Sequence, residues 1–318
     1  MVAAELDRPV PAGAHALTAL LRERYGSSLR AVVMYGSNLR AADDREGVLD
    51  LYALVTSYRE AFPGHPLLAA ANRLLPPNVF YLEAGVETGS RPEVPLPRVV
   101  RCKYAVLALD DLPRLTTSAI TEPYFWARFA QPCALVWSAD EAARATVVRA
   151  LAEAVATFVR FAVPFAEPSF DARSLWTAGW QATYGAELRP ERTGKGGSLF
   201  DENAGRFERA TELVLPTLPW AVVRETFEGR TIYRIDVPVP ARMRALGAWR
   251  HQRLKAKLLF TLRIIRNAMI FEGGVDYALW KIQRHSGVET DSTWREKRHP
   301  WLALGAEAWR LYRAKAFR

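Results

Sequence analysis

Cysteine is scarce in this chain. The two present among 318 residues, Cys102 and Cys133, both sit in apolar surroundings. With no Cys-x-x-Cys spacing they exclude a disulfide-stapled framework and a thiolate zinc site, and as buried free thiols they suit a reducing compartment. Histidine is sparse too: His15, His65, His251, His285 and His299 form no close-spaced pair of the kind that holds zinc. Long apolar runs are missing. The best candidates, 150–164 and 258–271, are interrupted by Glu153 and Arg160 and by Arg263 and Arg266, short of the ~20 apolar residues that a membrane span needs. The first eleven residues carry Glu5, Asp7 and Arg8 without an apolar core, so no signal peptide is expected.

Acidic charge is the minority sign. Against 43 Lys and Arg stand 34 Asp and Glu, a net charge of +9, which favours an anionic partner: a nucleotide, a nucleic acid or an acidic membrane surface. Half of the residues are hydrophobic, enough for a substantial core. Two domains are expected, 1–165 and 166–318, with the boundary at the prolines of 164–169.

Two apolar runs stand out. Val32-Val33-Met34-Tyr35 ends in Gly36-Ser37, and twelve positions after Ser37 comes Leu49-Asp50-Leu51-Tyr52-Ala53-Leu54-Val55. Glycine lets the backbone approach a phosphate, and serine offers a hydroxyl and an amide, although a Gly-Ser pair also ends many ordinary strands. Asp50 is harder to explain as structure. A carboxylate within an apolar run is costly to bury without a cation or donors, so it is expected to face a site and to ligate a metal. The pattern is that of nucleotidyltransferases of the DNA polymerase beta type, with one difference: where many of them have Asp-x-Asp, this chain has Asp50-Leu51-Tyr52.

Further strands are expected at 78–84 and 98–109, with a loop over 85–97 between them. The second of these strands contains Lys103, which is either an edge-strand lysine or an ammonium placed over phosphates. From residue 122 the pattern turns mostly helical: 124–130, 140–163, 174–187, 207–215, 249–271, 275–285 and 305–317, with a small strand at 233–237. Lys195-Gly196-Gly197 lacks a P-loop's strand and helix and reads as a surface loop. The basic segments 249–271 and 307–318 carry apolar and aromatic residues among Arg and Lys. Such helices either lie in an anionic membrane interface or pack their apolar faces on the body.

Six separated segments together resemble one family, the peripheral, mitochondrial-type phosphatidate cytidylyltransferases (the translocator assembly and maintenance protein family). They are Tyr35-Gly36-Ser37; Leu49-Asp50-Leu51; Asn78-Val79-Phe80-Tyr81; Lys103-Tyr104-Ala105-Val106 before Asp110-Asp111-Leu112; the segment 124–132; and Tyr184-Gly185-Ala186-Glu187-Leu188-Arg189. They span about 29–211. Two positions depart from the family pattern: Glu187 stands for an Asp, and Gln131 for a basic residue before Pro132.

The resemblance implies an α+β fold, with a polymerase-beta-like domain of mixed sheet and flanking helices followed by a mainly helical domain. It implies magnesium-dependent transfer of CMP from CTP to phosphatidic acid at the cytoplasmic face of a membrane, without a nucleic-acid partner. Asp50 is then the metal ligand and, with Lys103, catalytic; Gly36, Ser37, Tyr104, Glu187 and Arg189 contact the nucleotide. Glu83 and Asp110 are candidates for a second carboxylate. Two other readings fit the same residues: nucleotidyl transfer to a non-lipid acceptor, and a non-catalytic module that binds nucleotide or lipid.

Overall fold

The computed structural model describes residues 1–41, 48–86, 98–117, 123–184, 195–227 and 229–270. Two compact units divide the chain, Met1–Phe260 and Thr261–Arg318, and the sheets belong to the first.

Five strands, β1 (Leu29–Tyr35), β2 (Leu49–Val55), β3 (Asn78–Val86), β4 (Arg98–Ala108) and β5 (Cys133–Ser138), form one sheet in the order β3-β4-β2-β1-β5. β2 and β4 run parallel and every other pair is antiparallel, so the fold is α+β with a mixed sheet. Burial on both faces explains why β2 reads as a near-continuous apolar run. Leu49, Leu51, Ala53 and Val55 point into a core with α2 (Ala12–Tyr25), α4 (Tyr58–Ala61) and α5 (Pro66–Leu74). Tyr52 and Leu54 point into the opposite core, built from α1 (Val2–Leu6), α7 (Tyr124–Phe129), α8 (Glu141–Ala162), α9 (Ala172–Tyr184) and α11 (Ala204–Val214).

Aromatic rings fill that second core. Phe158 of α8 stacks on Trp176 of α9 at 4.6 Å, and Trp176 lies 4.5 Å from Phe207 of α11. Gly179 makes room for this packing, because a Cβ there would fall 2.8 Å from the Phe158 ring. The boundary expected near residue 165 therefore falls within the first unit, between two helices that share one hydrophobic cluster.

Three expectations change. β5 lies between the helices expected at 124–130 and 140–163, where no strand was expected, and it closes the β1 edge of the sheet. Lys195-Gly196-Gly197 opens α10 (Lys195–Asp201) instead of lying in a loop. The small strand at 233–237 belongs to a sheet of β6 (Ser169–Phe170), β7 (Val222–Phe227) and β8 (Arg230–Ile235). The last described helix, α12, runs Val239–Ile270. The helices expected at 275–285 and 305–317 lie outside the described residues, as does most of the 85–97 loop. Among the described residues no helix is long and apolar enough to cross a membrane.

Candidate active site

Sheet register gathers the expected residues into one row. Laterally paired residues point to the same face of a sheet. Lys103 on β4 pairs with Asp50 on β2, and Asp50 pairs with Tyr35 on β1. Tyr81 on β3 extends the row beyond Lys103. The neighbouring row, Val79, Ala105, Tyr52, Val33 and Leu135, belongs to or packs on the core of α7 and α8. The Asp50 row is thus the rim where the apolar core of this face stops.

Asp50 and Lys103 are partly exposed, with side chains 29% and 33% accessible, and Lys103 Nζ lies 3.7 Å from Asp50 Oδ1. At that depth both side chains remain open to a ligand. Gly36 supplies the third element. Its φ of +93° is one that side-chain-bearing residues rarely adopt, and a Cβ built on it would lie 2.8 Å from Asp50 Oδ2. The turn after β1 therefore closes onto the Asp50 carboxylate only as glycine. Ser37 follows at once and begins α3 (Ser37–Ala41), its hydroxyl 3.5 Å from Asn38 Oδ1.

Strand alternation removes Tyr104. One residue beyond Lys103, it points to the other face and is fully buried against Phe80, its phenol accepting a 2.8 Å bond from Arg24. It cannot touch a ligand held by Asp50, and the expectation of a nucleotide contact there is corrected. Glu187 and Arg189 lie outside the described residues. Glu83 shares the face of Lys103 two register positions along β3, but it accepts bonds from Tyr81 (2.8 Å) and Arg101 (2.9 Å). Those two bonds, Tyr81's first, hold its carboxyl below the ordinary range. Asp110 follows the far end of β4, at the opposite edge from Asp50.

Arg128 and Tyr124 of α7 were not legible as site residues. Arg128 Nη1 donates to Tyr124 Oη at 2.8 Å and to Tyr35 Oη at 3.3 Å, and Tyr35 is the cross-strand neighbour of Asp50. Their spacing of four on one helix was the available signal. Burial raises the Tyr35 phenol well above its ordinary value, with the Asp50 charge a smaller contributor in the same direction. Burial likewise pushes the thiol of Cys102, beside Leu49 on the far face, up to about 12.

Among the described residues no three His, Cys, Asp or Glu side chains gather as metal ligands. Magnesium that arrives with a triphosphate needs only one or two protein carboxylates, because phosphate oxygens and water supply the rest. Asp50, in the gap that Gly36 leaves open, fits that requirement. A cavity of about 1030 Å³ lies elsewhere, lined by Arg173, Thr177, Glu208, Arg209 and Arg230 among others, and includes none of the Asp50 row.

No family model matches the chain, and no curated protein matches it in sequence. The family resemblance therefore rests on the six segments alone.

Proposed function

We propose that the chain is a nucleotidyltransferase with a polymerase-beta-like catalytic domain that transfers CMP from CTP to phosphatidic acid, giving CDP-diacylglycerol and pyrophosphate. One juxtaposition carries the transferase reading: the Gly36 turn sits against the Asp50 carboxylate, and Lys103 lies 3.7 Å away on the other side. The choice of CTP and of a lipid acceptor rests on the resemblance.

In this reading an oxygen of the acceptor phosphate attacks the α-phosphorus of the nucleotide. The bond to the bridging oxygen breaks and pyrophosphate leaves. Such a displacement depends on in-line placement and charge neutralisation more than on covalent chemistry from the protein. Gly36 and Ser37 receive the β- and γ-phosphates, whose close approach a Cβ at position 36 would block. Asp50 would hold magnesium, which would supply neutralisation of phosphate charge. Lys103 neutralises charge on the triphosphate or the attacking phosphate. The resemblance assigns Glu187 and Arg189, which lie outside the described residues, to the nucleotide, and an arginine suits a bidentate phosphate contact. The enzyme works as a peripheral protein on the inner face of a membrane, where its net positive charge meets anionic lipid.

The test is incubation with labelled CTP, magnesium and phosphatidic acid vesicles, repeated with ATP, GTP and UTP and with Asp50→Asn. Lipid-linked CMP is expected from the wild type with CTP alone. No lipid-linked nucleotide in any arm removes the lipid reaction, and equal product from Asp50→Asn removes the metal assignment.

A further inference from the structure

We propose that Arg128 is a second phosphate-binding cation of this site, pre-set by the Tyr35 and Tyr124 phenols on the side of Asp50 away from Lys103. The proposal rests on the nucleotidyl-transfer reading above.

Contacts with two tyrosines locate Arg128. Its guanidinium lies 4.3 Å above the Tyr124 ring and 5.5 Å above the Tyr35 ring, and one nitrogen, Nη1, donates to both phenols. Tyr35 is the register partner of Asp50 and immediately precedes Gly36. The next residue of α7, Phe129, packs its ring 4.7 Å from Tyr52, two positions beyond Asp50 on the same face of β2. Arg128 is thereby fixed from two directions beside the carboxylate row, and it is partly exposed.

The chemistry of the cradle favours a ligand. The Tyr35 and Tyr124 side chains hold the guanidinium through both their ring faces and their phenol oxygens. A guanidinium is a rigid fork that matches two phosphate oxygens, and one fixed by stacking on aromatic rings loses little freedom on binding. The transfer brings a triphosphate and an acceptor phosphate into one place, more negative charge than the ammonium of Lys103 balances.

The experiment measures equilibrium binding of magnesium-CTP and, separately, of short-chain phosphatidic acid to the full-length chain, for wild type, Arg128→Gln, Arg128→Lys and Tyr124→Phe, with melting temperatures alongside. Arg128→Gln is expected to weaken one of the two ligands at least tenfold with little change in melting temperature, and the ligand affected tells which phosphate Arg128 holds. Arg128→Lys keeps the charge but loses the fork and recovers only part of the affinity; Tyr124→Phe loses several-fold by freeing the guanidinium. Wild-type affinity for both ligands in Arg128→Gln overturns the proposal. If that variant does not fold, wild-type affinities in both Arg128→Lys and Tyr124→Phe overturn it instead. The reaction itself is read on the wild type: Arg128-dependent binding without transfer removes the reaction and keeps Arg128, whereas transfer with unaltered Arg128→Gln kinetics does the opposite. A wild type that binds neither ligand removes both.

Discussion

At Gly36 two requirements meet, a left-handed backbone and a vacant Cβ position over Asp50. Alanine there satisfies neither. Gly36→Ala is expected to cost about 1–3 kcal/mol of stability from the strained backbone, and to lower transfer about 100-fold because it pushes the carboxylate out of position. Urea melts and initial rates measure the two effects separately; unchanged transfer would mean that the turn has no part in the site. The thiols give a second residue-scale prediction. Burial raises both Cys102 and Cys133 from an ordinary 9.0 to about 12. Both stay protonated in the fold, and in the native protein neither is expected to react with a maleimide at pH 8 until the chain unfolds. The linkage has a definite sign. The stability gained by keeping these thiols neutral is present in full below pH 9 and is lost as pH rises towards about 12, since only the unfolded chain gives up those protons in that interval. Melting temperature followed from pH 7 to 11 should be flat at first and then fall, whereas a rise above pH 9 would contradict the burial assignment.

One buried ion pair ties several elements together. Arg206 of α11 donates from Nε to Glu5 of α1 at 2.6 Å and from Nη1 to the Ala130 carbonyl at 2.8 Å, while the Cys133 amide donates to Glu5 at 3.0 Å. This fixes the turn between α7 and β5, and with it the placement of Arg128. Removing one partner leaves the other as an uncompensated charge. Arg206→Met or Glu5→Gln is expected to destabilise by about 3–5 kcal/mol in urea unfolding, and the paired replacement Arg206→Met with Glu5→Leu by much less. Equal costs for single and double variants would contradict that account.

The central elements were legible in the sequence because their signals are local. β1 ends at Tyr35, where its apolar run gives way to Gly36-Ser37, β2 shows its acid in an apolar run, and the ends of α8 follow from Asp140, whose side chain accepts from the Ala143 amide, and from Pro164. β5 was not legible: Cys133–Ser138 is short, lies between two helices and is defined by pairing with β1, which adjacent residues do not encode. β7 escaped for a different reason, since its exposed Arg224, Glu225 and Thr226 leave no apolar alternation to read. Tyr104 shows the limit at the site. The motif names neighbours on a strand, but the strand sends alternate side chains to opposite faces, and only Lys103 reaches Asp50. Arg128 and Arg206 act through partners 93 and 201 positions away, beyond any local pattern.

For the whole molecule the net charge of +9 favours the anionic partner proposed above, and α12 concentrates it, with no acidic residue from Val239 to Ile270. Leu254 and Leu258 stand exposed on that helix among Arg250, Arg253 and Lys255. Apolar side chains between cations suit an anionic interface. Co-sedimentation with phosphatidic acid vesicles is expected to weaken as ionic strength rises and to fall further with Leu258→Glu. Binding that ignores both salt and the substitution would count against a membrane role for this helix.

The central claim is that Asp50 and the Gly36-Ser37 turn together organise a triphosphate, and a crystal grown with magnesium and CTP tests it most directly. The account predicts an Asp50 carboxylate oxygen about 2.1 Å from the metal, with the β- and γ-phosphates over Gly36 and Ser37. Nucleotide bound elsewhere, with the Asp50 carboxylate turned away from it, would contradict the account.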